Sequence, residues 1–264
     1  MVDLIGVTKV FHPGTVNERV ALNGIDLHME EGDFVTIIGS NGAGKSTLLN
    51  AIAGVWPLDK GSILLDGQDI AHLPEYKRAA FLGRVFQDPM TGTAANMQIE
   101  ENLALAARRG KKRGLSWYIK PIERADYKEL LAFLGLGLED RLTSKVGLLS
   151  GGQRQALTLL MATLQRPKLL LLDEHTAALD PKTAQKVLEI TEKIVRENCL
   201  TTMMVTHNMN DAIRHGNRLI MMNSGRIIFE CRDEEKAKLT VEDLMEKFSQ
   251  ASGGSLADDR ALLG

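Results

Sequence analysis

Two kinds of hydrophobic pattern alternate along this chain. Short apolar runs rich in Val and Ile, bounded by Gly and Asp, are followed by longer stretches with the helical period. The runs Phe34 to Ile38, Leu169 to Leu172 and Thr202 to Val205 predict buried strands, and Lys45 to Ala53 predicts a helix. Strands that alternate with helices are typical of a parallel sheet with crossover connections. The pattern therefore predicts an α/β fold.

Other strands are predicted outside this alternation. Leu4 to Val10, Leu22 to Met29 and Ser62 to Leu65 predict strands joined by turns, which favours an additional antiparallel layer. A hairpin is predicted from Leu219 to Phe229, with its turn at Asn223-Ser224-Gly225.

The middle of the chain has a different character. Between about Ile99 and Thr143 the strand signal stops and helical patterns dominate. We expect one domain over residues 1–250, with a helical subdomain inserted at about 95–165, and a flexible tail over 251–264. The basic run from Arg108 to Arg113, followed by Trp117 and Tyr118, predicts a solvated loop. Contact with anionic lipid headgroups is the alternative for this run.

Composition and charge limit the classes of function. The 264 residues are 44% apolar and 25% charged, which suits a large globular domain. The formal net charge of −2 gives no general attraction to phosphates, so we expect no nucleic-acid partner. The longest apolar runs fall short of the roughly 20 residues of a spanning helix, and the N-terminus lacks the pattern of a secretory signal. We expect a protein that stays in the cytoplasm, which also suits the sparse use of cysteine.

A glycine-rich motif joins the first buried strand to the helix after it. Gly39-Ser40-Asn41-Gly42-Ala43-Gly44-Lys45-Ser46 satisfies the P-loop pattern in full. The glycines let successive backbone N–H groups turn inward around phosphate oxygens, at the positive end of a helix. Lys45 adds a positive charge near the β and γ phosphates, the Ser46 hydroxyl is placed to ligate Mg²⁺, and Thr47 can donate to the α-phosphate. The motif predicts a nucleoside triphosphate site.

A pair of carboxylates follows another buried strand. Asp173 and Glu174 come directly after Leu169 to Leu172, at the edge where open α/β sheets bind ligands. Asp173 can hold Mg²⁺ through water, and Glu174 can act as general base on the attacking water. Together with the P-loop, the pair predicts a nucleoside triphosphatase.

The segment Leu149-Ser150-Gly151-Gly152-Gln153-Arg154-Gln155 matches the signature motif of ABC ATPases letter for letter. With the two phosphate motifs in place, the chain resembles the ATP-binding subunits of ABC transporters over about residues 1–230. The resemblance implies a P-loop NTPase fold. It has a RecA-like parallel-sheet core, an antiparallel β layer and an inserted α-helical subdomain that carries the signature.

The resemblance also implies roles for individual residues. Gln87 matches the Q-loop glutamine of the Mg²⁺ and water region, and His207 matches the switch histidine that contacts the γ-phosphate. Asp180 lies in the D-loop. Phe11 lies where the family places an aromatic that stacks on adenine, with an ordinary core aromatic as the alternative. His175 stands where the family usually has proline; we expect it to face solvent or to be hydrogen-bonded, and tuning of the pH response is the alternative.

Three sets of site residues follow from the resemblance. They are the catalytic residues Glu174, His207 and Gln87; the metal ligands Ser46, Gln87 and Asp173; and the nucleotide-binding residues Phe11, Gly39, Ser40, Asn41, Gly42, Ala43, Gly44, Lys45, Ser46, Thr47, Ser150, Gly151, Gly152, Gln153 and Asp180. The implied ligands are ATP and Mg²⁺.

The implied partners follow from the signature, which within one chain cannot close over its own P-loop. The resemblance implies a head-to-tail dimer with two ATP at the interface, on the inner face of the cell membrane. ATP hydrolysis would energise a separate integral permease, and we expect uptake of a small solute such as an amino acid with an extracytoplasmic substrate-binding protein. A soluble ABC ATPase with an assembly role, as in iron–sulfur cluster biogenesis, is the alternative from another class.

Overall fold

A computed structural model describes residues 1–111 and 119–251 of the chain. The chain divides into two compact units. The first unit is Met1–Arg78 together with the described residues from Cys199 onward, and the second is Ala79–Asn198. The predicted tail beyond residue 251 lies outside the described residues.

The elements are named in chain order. The strands are β1 (Val2–Phe11), β2 (Arg19–Met29), β3 (Phe34–Gly39), β4 (Lys60–Leu65), β5 (Gln68–Asp69), β6 (Leu82–Val85), β7 (Leu169–Asp173), β8 (Thr202–Val205), β9 (Arg218–Asn223) and β10 (Arg226–Arg232). The helices are α1 (Lys45–Ala53), α2 (Glu75–Arg78), α3 (Ile99–Ala107), α4 (Pro121–Leu134), α5 (Gly151–Thr163), α6 (Pro181–Glu197), α7 (Met209–Arg214), α8 (Asp233–Ala237) and α9 (Val241–Ala251).

The first unit contains the predicted antiparallel layer. Its strand order is β2-β1-β4-β5, and β1 pairs antiparallel with both β2 and β4. Along β1 and β2 the buried side chains include Val2, Leu4, Leu22 and Ile25, while most of their immediate neighbours are more exposed. This near-alternation reflects the two-residue period of a strand with one face against a core. The antiparallel layer is confirmed.

The first unit also contains the parallel strand that leads into the P-loop. Every residue of β3 is buried, and β3 runs parallel to β8 on one side and to β9 on the other. Strands covered on both faces are continuously apolar, which is why this segment shows no alternation. β9 and β10 form the predicted hairpin, whose two turn residues Ser224 and Gly225 both have positive φ.

A buried arginine fixes the end of α1. The Arg78 guanidinium donates to the carbonyls of Ala51 and Ile52 at 2.8 and 2.9 Å, and to those of Leu73 and Ala71 at 2.8 and 2.7 Å. The first two acceptors belong to the last turn of the helix, whose carbonyls have no partner within it. Burial lowers the pKa of Arg78, opposed by the charge of Asp69. The helix that carries the P-loop lysine is therefore anchored at its far end.

The second unit contains the strand that carries the carboxylate pair. β7 runs parallel to β6, with Leu82 opposite Leu169 and Val85 opposite Leu172. The pattern did not predict β6, because Leu-Gly-Arg-Val is short and contains an arginine. Helix α5 is buried along most of its length, from Gly152 to Ala162. The two parallel strands and the helices around them agree with the predicted α/β class.

Candidate nucleotide-binding site

At two positions of the P-loop, the backbone conformation and the surrounding atoms leave room only for glycine. Gly39 has φ +152°, and a Cβ on it would lie 2.2 Å from the Met222 carbonyl oxygen. Gly44 has φ +102°, and a Cβ on it would lie 2.4 Å from the Ala21 carbonyl oxygen. Both obstacles are backbone atoms, which cannot turn aside as a side chain can. The packing of the first unit therefore demands these glycines independently of any ligand.

The β9–β10 hairpin holds the loop from outside. The Gly225 N–H donates to the Ala43 carbonyl at 2.9 Å, and the Gly225 carbonyl accepts from the Asn23 N–H at 2.8 Å. The left-handed turn at Ser224 and Gly225 brings this backbone into reach. The shape of the P-loop is thus supported by a turn about 180 positions further along the chain.

The P-loop lysine rests on its own loop. Lys45 is buried, and its Nζ donates to the carbonyls of Gly39 at 2.6 Å and Ser40 at 3.1 Å. Ser46 is exposed and Thr47 is half-buried, and both lie in the first turn of α1. The first turn of a helix has N–H groups without intrahelical partners, so this end of α1 suits an anion.

An arginine that the motifs did not single out reaches the same loop. The Arg19 Nη2 donates to the Gly42 carbonyl at 3.0 Å, and Arg19 is opposite Phe11 in the β1–β2 pairing. Phe11 is therefore the strand partner of a residue that contacts the P-loop. Its ring meets Trp56 edge to face, with centroids 5.4 Å apart, and the Lys9 ammonium lies 5.6 Å from its centroid. Phe11 is half-buried, and its predicted adenine contact stays a prediction.

His207 follows β8, at the carboxyl end of the parallel strands in the first unit. It is half-buried. The Thr206 N–H before it donates to the Ile37 carbonyl of β3 at 3.1 Å, and the Asn208 side chain after it caps α7 by accepting from the Asp211 N–H at 3.1 Å. His207 therefore sits between two anchored residues.

In the second unit, Asp173 ends β7 and Glu174 follows it. Both are half-buried. Glu174 has φ +45°, a left-handed conformation that is uncommon and strained for a residue other than glycine. Its carbonyl accepts from the Ala177 N–H at 3.0 Å, which closes a turn directly after the strand.

His175 is buried, with 1% of its surface exposed. Its Nε2 lies 3.1 Å from the Thr191 Oγ1 on α6. Of the two expected environments, the structure therefore contains the hydrogen-bonded one and not the solvent-facing one. The burial of His175 could not be predicted, because this residue lies beyond the apolar strand and next to polar residues.

The signature forms the start of α5. Ser150 is the N-cap: its Oγ accepts from the Gln153 N–H at 3.3 Å, and the Gln153 side chain accepts in return from the Ser150 N–H at 3.2 Å. Ser150 and Gly151 are exposed, whereas Gly152 is buried. A Cβ on Gly152 would lie 2.1 Å from the Thr183 Cγ2 of α6. The two glycines therefore differ, since Gly151 faces outward and Gly152 allows two helices to approach closely.

Asp180 of the D-loop stabilises the start of a helix. It is the N-cap of α6, and its Oδ1 accepts from the Thr183 N–H at 3.1 Å. Hydrogen bonds from Thr183 lower the pKa of the Asp180 carboxyl. Because Thr183 also touches Gly152, the signature and the D-loop meet at one residue of the second unit.

Gln87 is exposed two residues after β6. The residue before it, Phe86, accepts at its carbonyl from the Gln155 Nε2 at 2.9 Å, and Gln155 is buried in α5. The Q-loop is therefore attached to the signature helix through a side chain that the sequence showed only as part of a motif.

The basic run is only partly a solvated loop. The Arg109 Nη2 donates to the carbonyls of Ala162 and Gln165 at 3.1 and 2.9 Å, beside the C-terminal end of α5, and burial lowers the pKa of Arg109. Arg108 donates to the Ala104 carbonyl at 2.8 Å and pairs with Glu123 at 3.1 Å. For Arg109 the solvated prediction is wrong, because carbonyls at and just beyond the end of a helix lack intrahelical partners and attract a guanidinium. Lys112, Arg113, Trp117 and Tyr118 lie outside the described residues.

The structure of residues 1–111 and 119–251 bears on the remaining expectations. None of the helices there combines the length and the apolar character that crossing a bilayer requires. The same part of the chain holds no group of three or more His, Cys, Asp or Glu side chains placed to bind a metal ion.

Known proteins resemble this chain in sequence. The tyrosine transport ATP-binding protein of Clostridioides difficile is 48% identical over 239 residues, which cover 90% of this chain and 93% of that protein. The methionine import ATP-binding protein of Corynebacterium efficiens is 36% identical over 86% of this chain, which spans 61% of that longer protein.

Solved structures resemble it as well. A dimeric ATP-binding cassette bound to ADP and Pi, described as a post-hydrolysis state, superposes with a TM-score of 0.74 at 30% identity and covers 88% of this chain and 98% of that one. The ADP conformation of another ABC transporter cassette gives a TM-score of 0.76 at 27% identity, covering 94% of this chain. These likenesses confirm the P-loop NTPase fold with its antiparallel layer and helical subdomain. Residues 22–177 match the protein family described as ABC transporter. The chain belongs to the ABC transporter family.

Proposed function

We propose that this chain is the ATP-hydrolysing subunit of an importer and that two copies close head to tail around two ATP molecules. As a member of its family the chain is an ATPase that energises transport. The observation that carries the proposal is the P-loop, a backbone that only glycine can adopt with Lys45 held on its rim. Such a loop at the start of a helix binds phosphate.

We assign the residue roles as follows. When ATP binds, the Lys45 ammonium exchanges its hydrogen bonds to the carbonyls of Gly39 and Ser40 for contacts with the β and γ phosphates. These contacts are stronger, because the phosphates are negatively charged whereas the carbonyls are neutral. Ser150 and Gly151, exposed at the start of α5, cover the γ-phosphate bound by the other copy. Glu174 accepts a proton from the attacking water. The remaining sequence-predicted residues keep their proposed roles, with His207 and Gln87 near the γ-phosphate and the water, and Asp180 and Phe11 in nucleotide contact.

The chemistry of the proposed ligands suits a magnesium ion. Ser46 is exposed in the first turn of α1 and carries a hydroxyl, and Asp173 carries a carboxylate at the end of β7. Mg²⁺ in nucleotide sites keeps waters and phosphate oxygens and takes few protein ligands, so a preformed cage of acidic side chains is not required. We propose Ser46, Asp173 and Gln87 as the protein ligands. When bound, the ion neutralises charge on the β and γ phosphates.

We propose an integral membrane permease and an extracytoplasmic substrate-binding protein as partners, and an amino acid as the cargo. The tyrosine transport relative, which matches along nearly its whole length, supports this cargo class more than the shorter partial matches do. The names of these relatives do not favour the assembly role considered above.

The test is uptake of labelled amino acids by cells that lack this chain but retain its permease. Complementation with the wild-type chain is expected to restore uptake of labelled tyrosine or a related amino acid, and Glu174→Gln is expected to leave it at background. Restoration by Glu174→Gln would contradict the assignment of Glu174. Recovery of the tagged chain with soluble assembly proteins alone, and with no integral membrane protein, would favour the assembly role.

A further inference from the structure

The residue after the proposed general base is tied to a helix by a bond whose direction can be deduced. The Thr191 Oγ1 donates its single hydrogen to the Val187 carbonyl at 2.8 Å, as a threonine within a helix commonly does. The same oxygen lies 3.1 Å from the His175 Nε2. Because the hydroxyl hydrogen is already committed, His175 must be the donor, and its imidazole carries a proton on Nε2.

The hydrogen bond between His175 and Thr191 lies next to a strained backbone position, Glu174. Glu174 holds φ +45°, and such a conformation persists only where the surroundings impose it. On one side the β7 strand fixes the chain up to Asp173. On the other side the buried His175 ring is fastened to α6 through Thr191. Glu174 is thus held between a strand and an anchored side chain.

We propose that His175 is a positioning residue for hydrolysis: its Nε2–H bond to Thr191 holds the backbone corner that aims the Glu174 carboxylate at the attacking water. This inference rests on the proposed function of Glu174. Without the bond, a buried N–H would lack its partner and the corner could relax toward an ordinary φ. The loss would affect the chemical step rather than phosphate binding, because His175 and Thr191 support Glu174 and neither belongs to the P-loop.

The experiment measures kcat and KM for ATP with the full-length chain and its Thr191 variants. Thr191→Val keeps the shape but removes the acceptor, and it is expected to lower kcat about tenfold or more, since small misplacements of a catalytic group are costly. KM for ATP should stay within about twofold of wild type, since the P-loop is unchanged. Thr191→Ser retains the hydroxyl and should restore nearly full kcat.

Thr163→Val is the matched control. Thr163 likewise donates within its helix, to the carbonyls of Leu159 and Leu160 at 3.0 Å, and among the described residues its hydroxyl bonds only within that helix. A fall in kcat for Thr191→Val but not for Thr163→Val supports the proposal. Equal kcat in both variants overturns it, as does a fall that Thr191→Ser shares.

A second pair of variants covers the case in which Thr191→Val does not fold. His175→Gln offers an amide N–H toward Thr191 and should keep more activity than His175→Leu, which offers none; equal activity of the two overturns the inference.

Glu174→Gln distinguishes a failure of the proposed function of Glu174 from a failure of the role proposed for His175. If it hydrolyses ATP at the wild-type rate, the proposed function of Glu174 fails; if it is inactive while Thr191→Val is unaffected, only the role of His175 fails.

Discussion

Gly152→Ala places a methyl group where the structure has no room for it. The added Cβ would lie 2.1 Å from the Thr183 Cγ2, whereas two carbon atoms in good contact are about 3.5–4.0 Å apart. The next nearest atom, the Thr183 Cβ, would be at an ordinary 3.6 Å. The conflict is therefore confined to one methyl group on a β-branched side chain that is stiff within a helix. We expect a destabilisation of about 1–3 kcal/mol from this overpacking.

The compensating change is Thr183→Ser, which deletes that methyl group. On its own it should cost about 0.8 kcal/mol, the value of one buried carbon. Combined with Gly152→Ala it removes the clash, and alanine is a better helix former than glycine by about 0.8–1.0 kcal/mol. The double variant should therefore be more stable than Gly152→Ala alone, although the second change is destabilising in the wild type.

Urea unfolding of the single and double variants measures these free energies. Gly151→Ala is the control, because its Cβ would meet only the end of the flexible Leu179 side chain, at 3.2 Å. The reasoning is refuted if Gly152→Ala unfolds within about 0.5 kcal/mol of wild type, or if Thr183→Ser destabilises it further.

Three further predictions concern single residues. Lys45→Ala should weaken ATP binding at least about tenfold, because the ammonium that the P-loop itself contributes is lost; unchanged affinity in equilibrium titration would contradict this. Arg19→Gln should raise KM for ATP severalfold and leave kcat unchanged, because the guanidinium supports the Gly42 carbonyl of the loop; a change confined to kcat would be inconsistent with that role. Asp180→Ala should lower the melting temperature at neutral pH and have progressively less effect as pH falls. The folded pKa of Asp180 lies below the unfolded value of 3.8, so its stabilisation is present above that value and is lost as pH falls through the folded pKa. A difference in melting temperature that is independent of pH would refute the capping role.

The local features of the site could be predicted from the sequence. Strand β3 is a short apolar run, helix α1 has the helical period, and the Gly-Lys-Ser spacing between them matches the P-loop pattern, so the sequence locates the P-loop to within a residue. The β9–β10 turn is also a local feature, because Gly225 takes a positive φ without strain and a short polar segment separates two apolar runs.

The supporting contacts could not be predicted, because periodicity shows which face is buried and not which side chain it meets. Thr191 has the pattern of an ordinary helix residue, and its bond to His175 depends on how α6 packs. Arg19 lies in a strand and meets Gly42 only through the fold. Arg109 belongs to a run whose charge favoured solvent, yet the carbonyls beside the end of α5 provided a partner. Tertiary packing decides each of these pairs.

The account depends most on the claim that the P-loop of one copy and the Ser150 end of another meet across ATP. Sedimentation of the Glu174→Gln chain, with ATP and Mg²⁺ or with ADP and Mg²⁺, tests this claim directly. With ATP the variant should sediment as a dimer, because hydrolysis no longer removes the γ-phosphate between the copies, and with ADP it should sediment as a monomer. A variant that stays monomeric at saturating ATP would contradict the account.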